Sequence, residues 1–453
     1  MGRQIGLLII MHVALLMTGL PAPMSDHGGA LLCWAVASTL VQRGHRVTVL
    51  SLYDISRKNP YRARRGQHEK ALKKAGVDLR IVEYDFSAVP MTDPYAVMAQ
   101  QSVLRKLLTR FDRLRRPSLE YFHHPFPYFR SKIANVLGDI QPDVCIADEY
   151  EPLAAIDGLD LPPVMAVVGD LTHLPAYYRW WRESPPPFGL DYLRGVVWLW
   201  EKREIHRRLM IRMLARCDRV GVWAAHYTRW LQRNGAPQCK RMPHPISDGG
   251  GVDSQEKRRA AVAAVASNLP RILMIGALHG TATRAGLRLV ARKVLPELER
   301  LFGVDSFELH IVGQGSVPED VAPLFKRPSV RLRGYVEDID IELLAADVLL
   351  VPTPVTLGFR SRVIAAFSYG ACTVLHKANR AGLPELVHEE NSLVAASGKG
   401  LAHQIVRAVR DSELSNRIRN SARNTYASRW TEEIAGGVIA DELESMYHRG
   451  PIA

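Results

Sequence analysis

Short apolar runs alternate with longer amphipathic runs along the whole chain. In the first half, the runs with strand character are IGLLII, HRVTVLSL, DLRIVEYD, PDVCIAD and PPVMAVVGD, and GGALLCWAVASTLVQRG has the period of a helix. The second half starts again with RILMIGAL, FELHIVGQG, VRLRGYV, DVLLVPT and CTVLH. Strands that alternate with helices are typical of βαβ units and predict parallel sheets. We therefore expect an α/β protein.

The alternation loosens between about Pro237 and Pro270, where PHPISDGGGVDSQEKRR is rich in glycine, proline and charge. Such a composition marks a domain boundary, and 453 residues are enough for two cores. We expect a first domain over 1–240, a linker over 241–269 and a second domain over 270–430. Residues 431–453 would form a helix that packs back toward the first domain. The fold class is thus two Rossmann-like domains that face each other across a cleft.

The N-terminal run MGRQIGLLIIMHVALLMTGLP has one arginine and then a mostly apolar stretch. Its length suits a buried first strand, but also a signal peptide or a membrane anchor. His12 and Thr18 interrupt the run, and Pro21 and Pro23 close it. These breaks favour the buried strand, and the other two interpretations stay open.

Charge and cysteine content indicate the kind of partner and the cellular compartment. The formal net charge of +13 indicates an anionic partner, which can be a nucleotide, an anionic lipid or a nucleic acid. The five cysteines lie far apart without a Cys-x-x-Cys pair, which fits a reducing cytoplasm better than a disulfide framework or a zinc site.

Glycines follow several predicted strands. Gly28 and Gly29 open the first helix, where a phosphate or sugar could approach bare backbone N–H groups, although a plain helix entry explains them equally well. In the second half, Gly276 ends a strand ahead of Arg284, and Gly313 ends the next one. Several glycines at strand ends predict a ligand at the carboxyl edge of that sheet.

Two arginines mark the start of a helix in GFRSRVIAAFSYG. Gly358 leads into a predicted helix from Arg362 to Tyr369, and Arg360 and Arg362 stand at its entry. A helix N-terminus with two guanidinium groups favours a diphosphate. The alternative is a pair of solvated surface arginines.

These stretches together resemble a known enzyme family. The order GG, RGH, CDRV, ILMIGAL, LHIVGQG, VRLRGYVEDI, GFRSRV and ENSLVA is similar to that of the retaining glycosyltransferases of family 4, whose two-domain fold is called GT-B. The resemblance is strongest from Arg271 to Trp430. It implies transfer of a hexosyl group from a UDP- or GDP-sugar to a saccharide or a lipid-linked acceptor. The second domain would bind the donor and the first domain the acceptor.

The resemblance also implies roles for individual residues. The donor site would contain Gly28 and Gly29 from across the cleft, together with Gly276, Arg284, Gly313, Tyr335, Gly358, Arg360 and Arg362. Arg362 would stand for the family's lysine and act on the leaving diphosphate. No metal ion and no cofactor besides the donor is expected.

Two positions depart from the family pattern. Many members carry two glutamates eight positions apart, where this chain has Leu357 and Ala365. Without both glutamates, the usual contacts of the family to the donor sugar and the nucleotide ribose are not expected. A catalytically degenerate GT-B partner protein and a sugar-nucleotide epimerase therefore remain as alternatives.

The acceptor side offers two candidate acid–base groups. Asp148 ends a predicted strand where the family often has histidine, and an acid there could accept a proton from an acceptor hydroxyl. His173 follows the next strand and is a second catalytic candidate, although a lone histidine is more often structural. His123 and His124 are adjacent and do not suggest a metal site.

One basic segment suggests where the protein acts. In VLRKLLTRFDRLRR, from Val103 to Arg116, apolar residues share one helical face and most arginines lie opposite. Such a helix can lie on an anionic membrane or can be an ordinary helix with its stripe in the core. We expect a cytoplasmic protein with peripheral contact to the cytoplasmic face of a membrane. An aromatic–basic motif for nucleic acid is missing, so no nucleic-acid partner is expected.

Overall fold

The computed structural model describes residues 10–23, 28–56, 62–85, 103–117, 129–174, 178, 189–251, 253–264, 267–336 and 339–449. His123, His124 and the first nine residues of the N-terminal run lie outside these ranges. Where the chain is described, no helix is long and apolar enough to cross a bilayer.

The first domain is built on a seven-stranded parallel sheet. Its strands are β1 (His12–Thr18), β2 (Arg46–Asp54), β3 (Asp78–Tyr84), β4 (Val144–Asp148), β5 (Val164–Val168), β6 (Arg219–Val222) and β7 (Cys239–Arg241), in the order β3-β2-β1-β4-β5-β6-β7. The helices are α1 (Gly28–Gln42), α2 (Arg65–Lys74), α3 (Val103–Arg115), α4 (Arg130–Ile140), α5 (Tyr150–Ile156), α6 (Leu190–Ala215) and α7 (Ala225–Arg233).

The second domain repeats the plan with six parallel strands. They are β8 (Arg271–Ile275), β9 (Glu308–Val312), β10 (Val330–Gly334), β11 (Val348–Val351), β12 (Thr373–His376) and β13 (Leu393–Ala395), in the order β10-β9-β8-β11-β12-β13. The helices are α8 (Ser254–Ala264), α9 (Thr281–Leu289), α10 (Leu295–Phe302), α11 (Ile339–Ala345), α12 (Ser361–Ser368), α13 (Gly398–Arg410) and α14 (Ser412–Ala427), and a last helix, α15 (Glu432–Arg449), follows them.

Apart from the edge strand β10, whose side chains after Val330 are exposed, the second sheet is buried on both faces, as are the central strands of the first, and this explains the near-continuous apolar strands of the sequence. Two clusters of buried side chains cover the first sheet and two cover the second. The prediction of an α/β protein with two parallel-sheet domains is confirmed.

The first strand lies later than the run IGLLII suggested. Ile10 is exposed, and β1 is the segment HVALLMT, with the predicted interruptions His12 and Thr18 at its two ends. His12 Nε2 lies 2.8 Å from Thr48 Oγ1 and hydrogen-bonds with it. The strand therefore tolerates the polar His12 because its ring has a partner on the neighbouring strand.

The last helix returns to the first domain. Gly436 of α15 packs so closely on α1 that an added Cβ would lie 2.5 Å from Thr39 Oγ1. Ile439 and Leu443 join the apolar cluster under β1 and α1, and Arg43 bonds to Glu444 at 2.8 Å. The chain thus crosses between the domains a second time after α14.

Candidate functional site

The carboxyl ends of β8 and β9 meet without side chains between them. Gly276 has a φ of +145° and Gly313 a φ of +147°, backbone angles that residues other than glycine rarely adopt. The Gly276 N–H donates to Val312 O at 3.0 Å, and a Cβ on Gly313 would collide with Gly276 O. Both glycines are therefore required sterically, and they leave bare backbone at this edge, as the sequence predicted for Gly276 and Gly313.

Arg362 covers this bare edge. It lies in the first turn of α12, and its guanidinium donates from Nη1 to Ile275 O at 2.6 Å and from Nη2 to Thr283 Oγ1 at 3.1 Å. A Cβ on Gly276 would clash with Nη1, so the glycine makes room for the guanidinium. In the part of the chain that the structure describes, no carboxylate pairs with Arg362. Burial, and then the charge of Arg360, lowers the pKa of Arg362 to about 9. An anion placed here would favour its charged form.

Arg360 points elsewhere, although the two arginines were predicted to act together. It is the residue before α12, it is buried, and its Nη1 donates to Phe359 O at 3.3 Å. Burial lowers the pKa of Arg360, and the nearby charge of Asp170 in the first domain works against this. Arg360 therefore faces the first domain, whereas Arg362 faces β8.

The loop before α12 binds the first domain. Gly358 has a φ of +65°, its N–H donates to the Tyr227 hydroxyl at 2.7 Å, and that hydroxyl donates to Asp170 Oδ1 at 3.3 Å. A Cβ on Gly358 would collide with the Asp170 carboxylate. Phe359 packs against the cores of both domains, and its ring stacks on His244 at 5.4 Å. We call Gly358, Phe359, Asp170 and Tyr227 the interdomain clasp.

Two further contacts hold the domains beside the clasp. The N–H of Ala225 at the start of α7 donates to Gly382 O at 3.1 Å. Arg241 at the end of the first sheet bonds through Nη2 to Glu385 Oε2 at 2.8 Å. The clasp is therefore part of a continuous contact between the carboxyl edges of the two sheets.

Carboxylates gather at the carboxyl edge of the first sheet. Asp148 ends β4 and is buried, and Glu149 follows with a φ of +71° and accepts from the Gly169 N–H at 3.0 Å. Burial raises the pKa of Asp148 to about 7, and Glu151 adds to the rise, against a hydrogen bond from the Cys33 thiol of α1. Burial and the charge of Asp148 raise the pKa of Glu149 too. A group that titrates near pH 7 suits proton transfer.

Residues 269–411 match the family model described as glycosyl transferases group 1. The matched residues cover most of the second domain. We call it the group 1 domain below.

Solved glycosyltransferase structures share the fold of the whole chain. A glycosyltransferase from Rickettsia africae is 13% identical, with 96% of this chain and 98% of that chain covered and a TM-score of 0.60. Anabaena HepE in complex with UDP and glucose is 15% identical (96% and 100% covered, TM-score 0.60), and the sucrose-phosphate synthase from Thermosynechococcus elongatus is 13% identical (97% and 100%, TM-score 0.64). No curated protein matches the sequence. At such identities the likeness establishes the fold, which is GT-B.

The remaining donor-site candidates lie in different parts of the two domains. Arg284 lies on α9, directly after the Thr283 that accepts from Arg362. Tyr335 follows β10 and is exposed. Gly28 and Gly29 are the first residues of α1, at the carboxyl end of β1 in the other domain. The structure thus brings Gly276, Gly313, Arg284 and Arg362 to one edge.

The two positions where many family members have glutamate carry apolar side chains here, which cannot hydrogen-bond to a hydroxyl of the donor. Leu357 is buried, and Ala365 is a partly buried residue of α12. The carboxylate that does reach this loop is Asp170, and it comes from the first domain. Sequence reasoning missed Asp170 and Tyr227; the only signal was that Asp170 follows a predicted strand directly.

His173 packs against helices of the first domain. Its buried ring packs on Trp230 of α7 with centroids 5.1 Å apart. Burial and the charges of Arg203 and Arg207 on α6 lower its pKa to about 4, so it is neutral at pH 7. The structure therefore places His173 in the packing between helices, against its prediction as a catalytic group. Within the described ranges, no three His, Cys, Asp or Glu side chains come together in a way that would hold a metal ion.

Proposed function

We propose that the protein transfers a hexosyl group from a UDP- or GDP-sugar to a hydroxyl of a saccharide or a lipid-linked acceptor, with retention of configuration. The observation that carries the proposal is the Arg362 guanidinium over the bare strand ends of a glycosyl transferases group 1 domain. Structures of HepE with UDP and with UDP-glucose support a nucleotide-sugar donor.

In this proposal the diphosphate lies at the edge formed by Gly276 and Gly313. Arg362 and the N–H groups at the start of α12 face the charge that grows on the leaving diphosphate, which is electrostatic stabilisation by groups already in place. Arg284, one turn into α9, adds a further cation. The charge is thus met by the protein's own groups, and a metal ion is not required.

On the acceptor side, we assign the proton transfer to Asp148. Its raised pKa keeps it close to half-protonated near neutral pH, so it can accept a proton from a hydroxyl. The Cys33 thiol of α1 fixes the carboxylate beside the helix that begins at Gly28. In this arrangement the acceptor hydroxyl would lie beside Asp148, between α1 and the interdomain clasp.

We also propose that the protein works in the cytoplasm. All five cysteines are buried and unpaired. The Cys33 thiol in its reduced form donates the hydrogen bond to Asp148. A reducing compartment preserves this contact.

A thermal-shift and transfer experiment tests the proposed function. A donor nucleotide at about 1 mM with a Kd of about 10 μM should stabilise the protein by about 2.7 kcal/mol. Transfer, or slow donor hydrolysis, should persist in EDTA. The proposal fails if UDP, GDP and their sugars neither shift the melting temperature nor are consumed.

A second candidate is a GT-B partner protein without activity. It is favoured by Leu357 and Ala365, which leave the donor loop without a carboxylate of its own. It predicts nucleotide binding of the same strength without hydrolysis or transfer. Product analysis by mass spectrometry in the presence of a thermal shift separates the two.

A further inference from the structure

Helix α3 turns two of its arginines toward α6 and exposes two large apolar side chains, while Leu114 packs against the core. Arg110 Nε lies 3.1 Å from Glu201 Oε2 of α6, and both Arg113 and Glu201 are buried. Leu108 and Phe111 of the same helix are exposed. A surface helix normally shows the opposite arrangement, with apolar residues toward the core. The segment was predicted to be amphipathic, but two of its arginines are used to hold the helix on α6.

Helix α6 continues the exposed apolar surface. Leu193, Val197 and Trp200 are spaced by four and three residues and so share one helical face. Leu209 and Met213, on the other face, are fully buried. The exposed fractions of Leu108, Phe111, Leu193, Val197 and Trp200 range from 47% to 67%. We call these five residues the α3–α6 apolar patch.

The two helices run in parallel, so the two parts of the patch lie at one level. Arg110 pairs with Glu201, and the Arg212 guanidinium of α6 donates to Pro117 O just after α3 at 3.0 Å. Phe111 therefore lies within about one turn of Trp200 along the shared axis. The two parts of the patch therefore lie on neighbouring helices of the first domain.

Basic residues surround the patch. The sequence of α3, VLRKLLTRFDRLR, has five basic residues and one acid, Asp112. Arg105, Arg115 and Arg116 are exposed. On α6, Arg208 is exposed as well, with its Nε on Glu204 at 2.8 Å. Large apolar side chains, one of them tryptophan, with arginines at the rim match the boundary between acyl chains and anionic headgroups.

We propose that the α3–α6 apolar patch docks the protein on an anionic lipid bilayer. Phe111 and Trp200 enter the headgroup region, and the exposed arginines of α3 face the lipid phosphates. The inference stands independently of the proposed function. If both hold, the acceptor-side domain is the one that rests on the membrane.

The test is co-sedimentation with large vesicles that contain phosphatidylcholine alone or phosphatidylcholine with about 30 mol% phosphatidylglycerol. The double variant Phe111→Ser, Trp200→Ser removes apolar area from the patch and should lower the partition coefficient on anionic vesicles by about tenfold or more. Leu332→Ser, a change at an exposed leucine of β10, is the matched control and should bind as the unchanged protein does.

A second pair of variants tests the charge. Arg115→Gln and Arg116→Gln should each reduce binding about fivefold at low salt, since a cation near such a surface adds about 1 kcal/mol. Added salt should weaken the unchanged protein in the same direction. Unchanged folding is checked by circular dichroism, and Trp200→Ser alone replaces the double variant if that variant is unstable.

Three results would overturn the proposal. The first is a protein that stays in the supernatant with anionic vesicles at low ionic strength. The second is equal binding of the patch variant and the unchanged protein. The third is a lipid-free dimer in sedimentation velocity that the patch variant abolishes, because a second copy would then occupy the patch.

Discussion

Tyr227 joins the two domains through one hydroxyl group. It accepts from the buried Gly358 N–H at 2.7 Å and donates to Asp170 Oδ1 at 3.3 Å. Tyr227→Phe removes this oxygen and leaves the ring, so the core around it keeps its volume. The substitution therefore tests the interdomain clasp without opening a cavity.

The expected magnitude follows from what each partner loses. The Asp170 carboxylate is accessible to solvent and can accept a hydrogen bond from water instead, so the loss of the Tyr227 hydrogen bond to Asp170 changes the free energy of unfolding little. Gly358 is buried, and an unsatisfied buried N–H costs about 1–3 kcal/mol. We expect Tyr227→Phe to lower the free energy of unfolding by about 2 kcal/mol. Because Gly358 leads directly into α12, the loosened loop should also raise the donor KM.

Urea unfolding and steady-state transfer kinetics measure the two effects. Tyr426→Phe is the matched control, because that buried hydroxyl donates to Ile246 O at 2.7 Å and not to a residue of the clasp. The control should lose about 1 kcal/mol and keep the donor KM. If Tyr227→Phe has the stability and the KM of the unchanged protein, the clasp does not couple the domains.

The other predictions concern the two sheet edges. Arg362→Ala should lower turnover about a hundredfold with a smaller change in donor affinity, while Arg360→Ala should cost less; unchanged turnover in Arg362→Ala with the fold intact would show that Arg362 does not act on the leaving diphosphate. Gly276→Ala should weaken donor binding and stability together, by about 1–3 kcal/mol each, since its Cβ would displace the Arg362 guanidinium; calorimetry and urea unfolding measure both. The Asp148 carboxyl keeps its proton up to about pH 7 in the folded protein and loses it near pH 3.8 when unfolded, so stability should fall by up to about 1.4 kcal/mol per pH unit between these values. Asp148→Asn should abolish transfer and reduce this slope, of which the raised pKa of Glu149 leaves a part; an unchanged slope in the variant would assign the titration to other groups.

The sequence predicts the second sheet and the glycines at its carboxyl edge well because both depend on local pattern. Gly276 and Gly313 follow apolar strands, and the backbone at each strand end needs a φ that favours glycine. Arg362 was predicted to lie at the start of a helix, and it does: α12 begins at Ser361, one residue before the predicted start. The ends of parallel strands lie side by side, so the strand-end pattern was enough to group Gly276 with Gly313.

The contacts between domains could not be predicted in this way. Tyr227 and Gly358 are 131 positions apart, and nothing in the apolar pattern links α7 to the loop before α12. Arg360 faces Asp170 because the loop turns at Gly358, where φ is +65°. A local pattern describes which face of an element is apolar, and the partner of that face is decided by tertiary packing.

The same limit explains His173 and α3. His173 looked like a strand-end histidine at a site, but α6, which starts 17 residues later, places Arg203 and Arg207 beside it. The pattern of α3 showed an amphipathic helix without showing which side faces the protein. The buried Glu201 decides this, because it draws Arg110 and Arg113 inward.

We propose that a nucleoside diphosphate binds the group 1 domain at the edge where Arg362 lies. Isothermal titration calorimetry with UDP and GDP, on the unchanged protein, Arg362→Ala and Arg362→Lys, tests it most directly. We expect micromolar binding of one nucleotide, a loss of affinity of about tenfold or more in Arg362→Ala, and partial recovery in Arg362→Lys, which keeps the charge. Equal affinity in all three proteins, or no binding of either nucleotide, would contradict it.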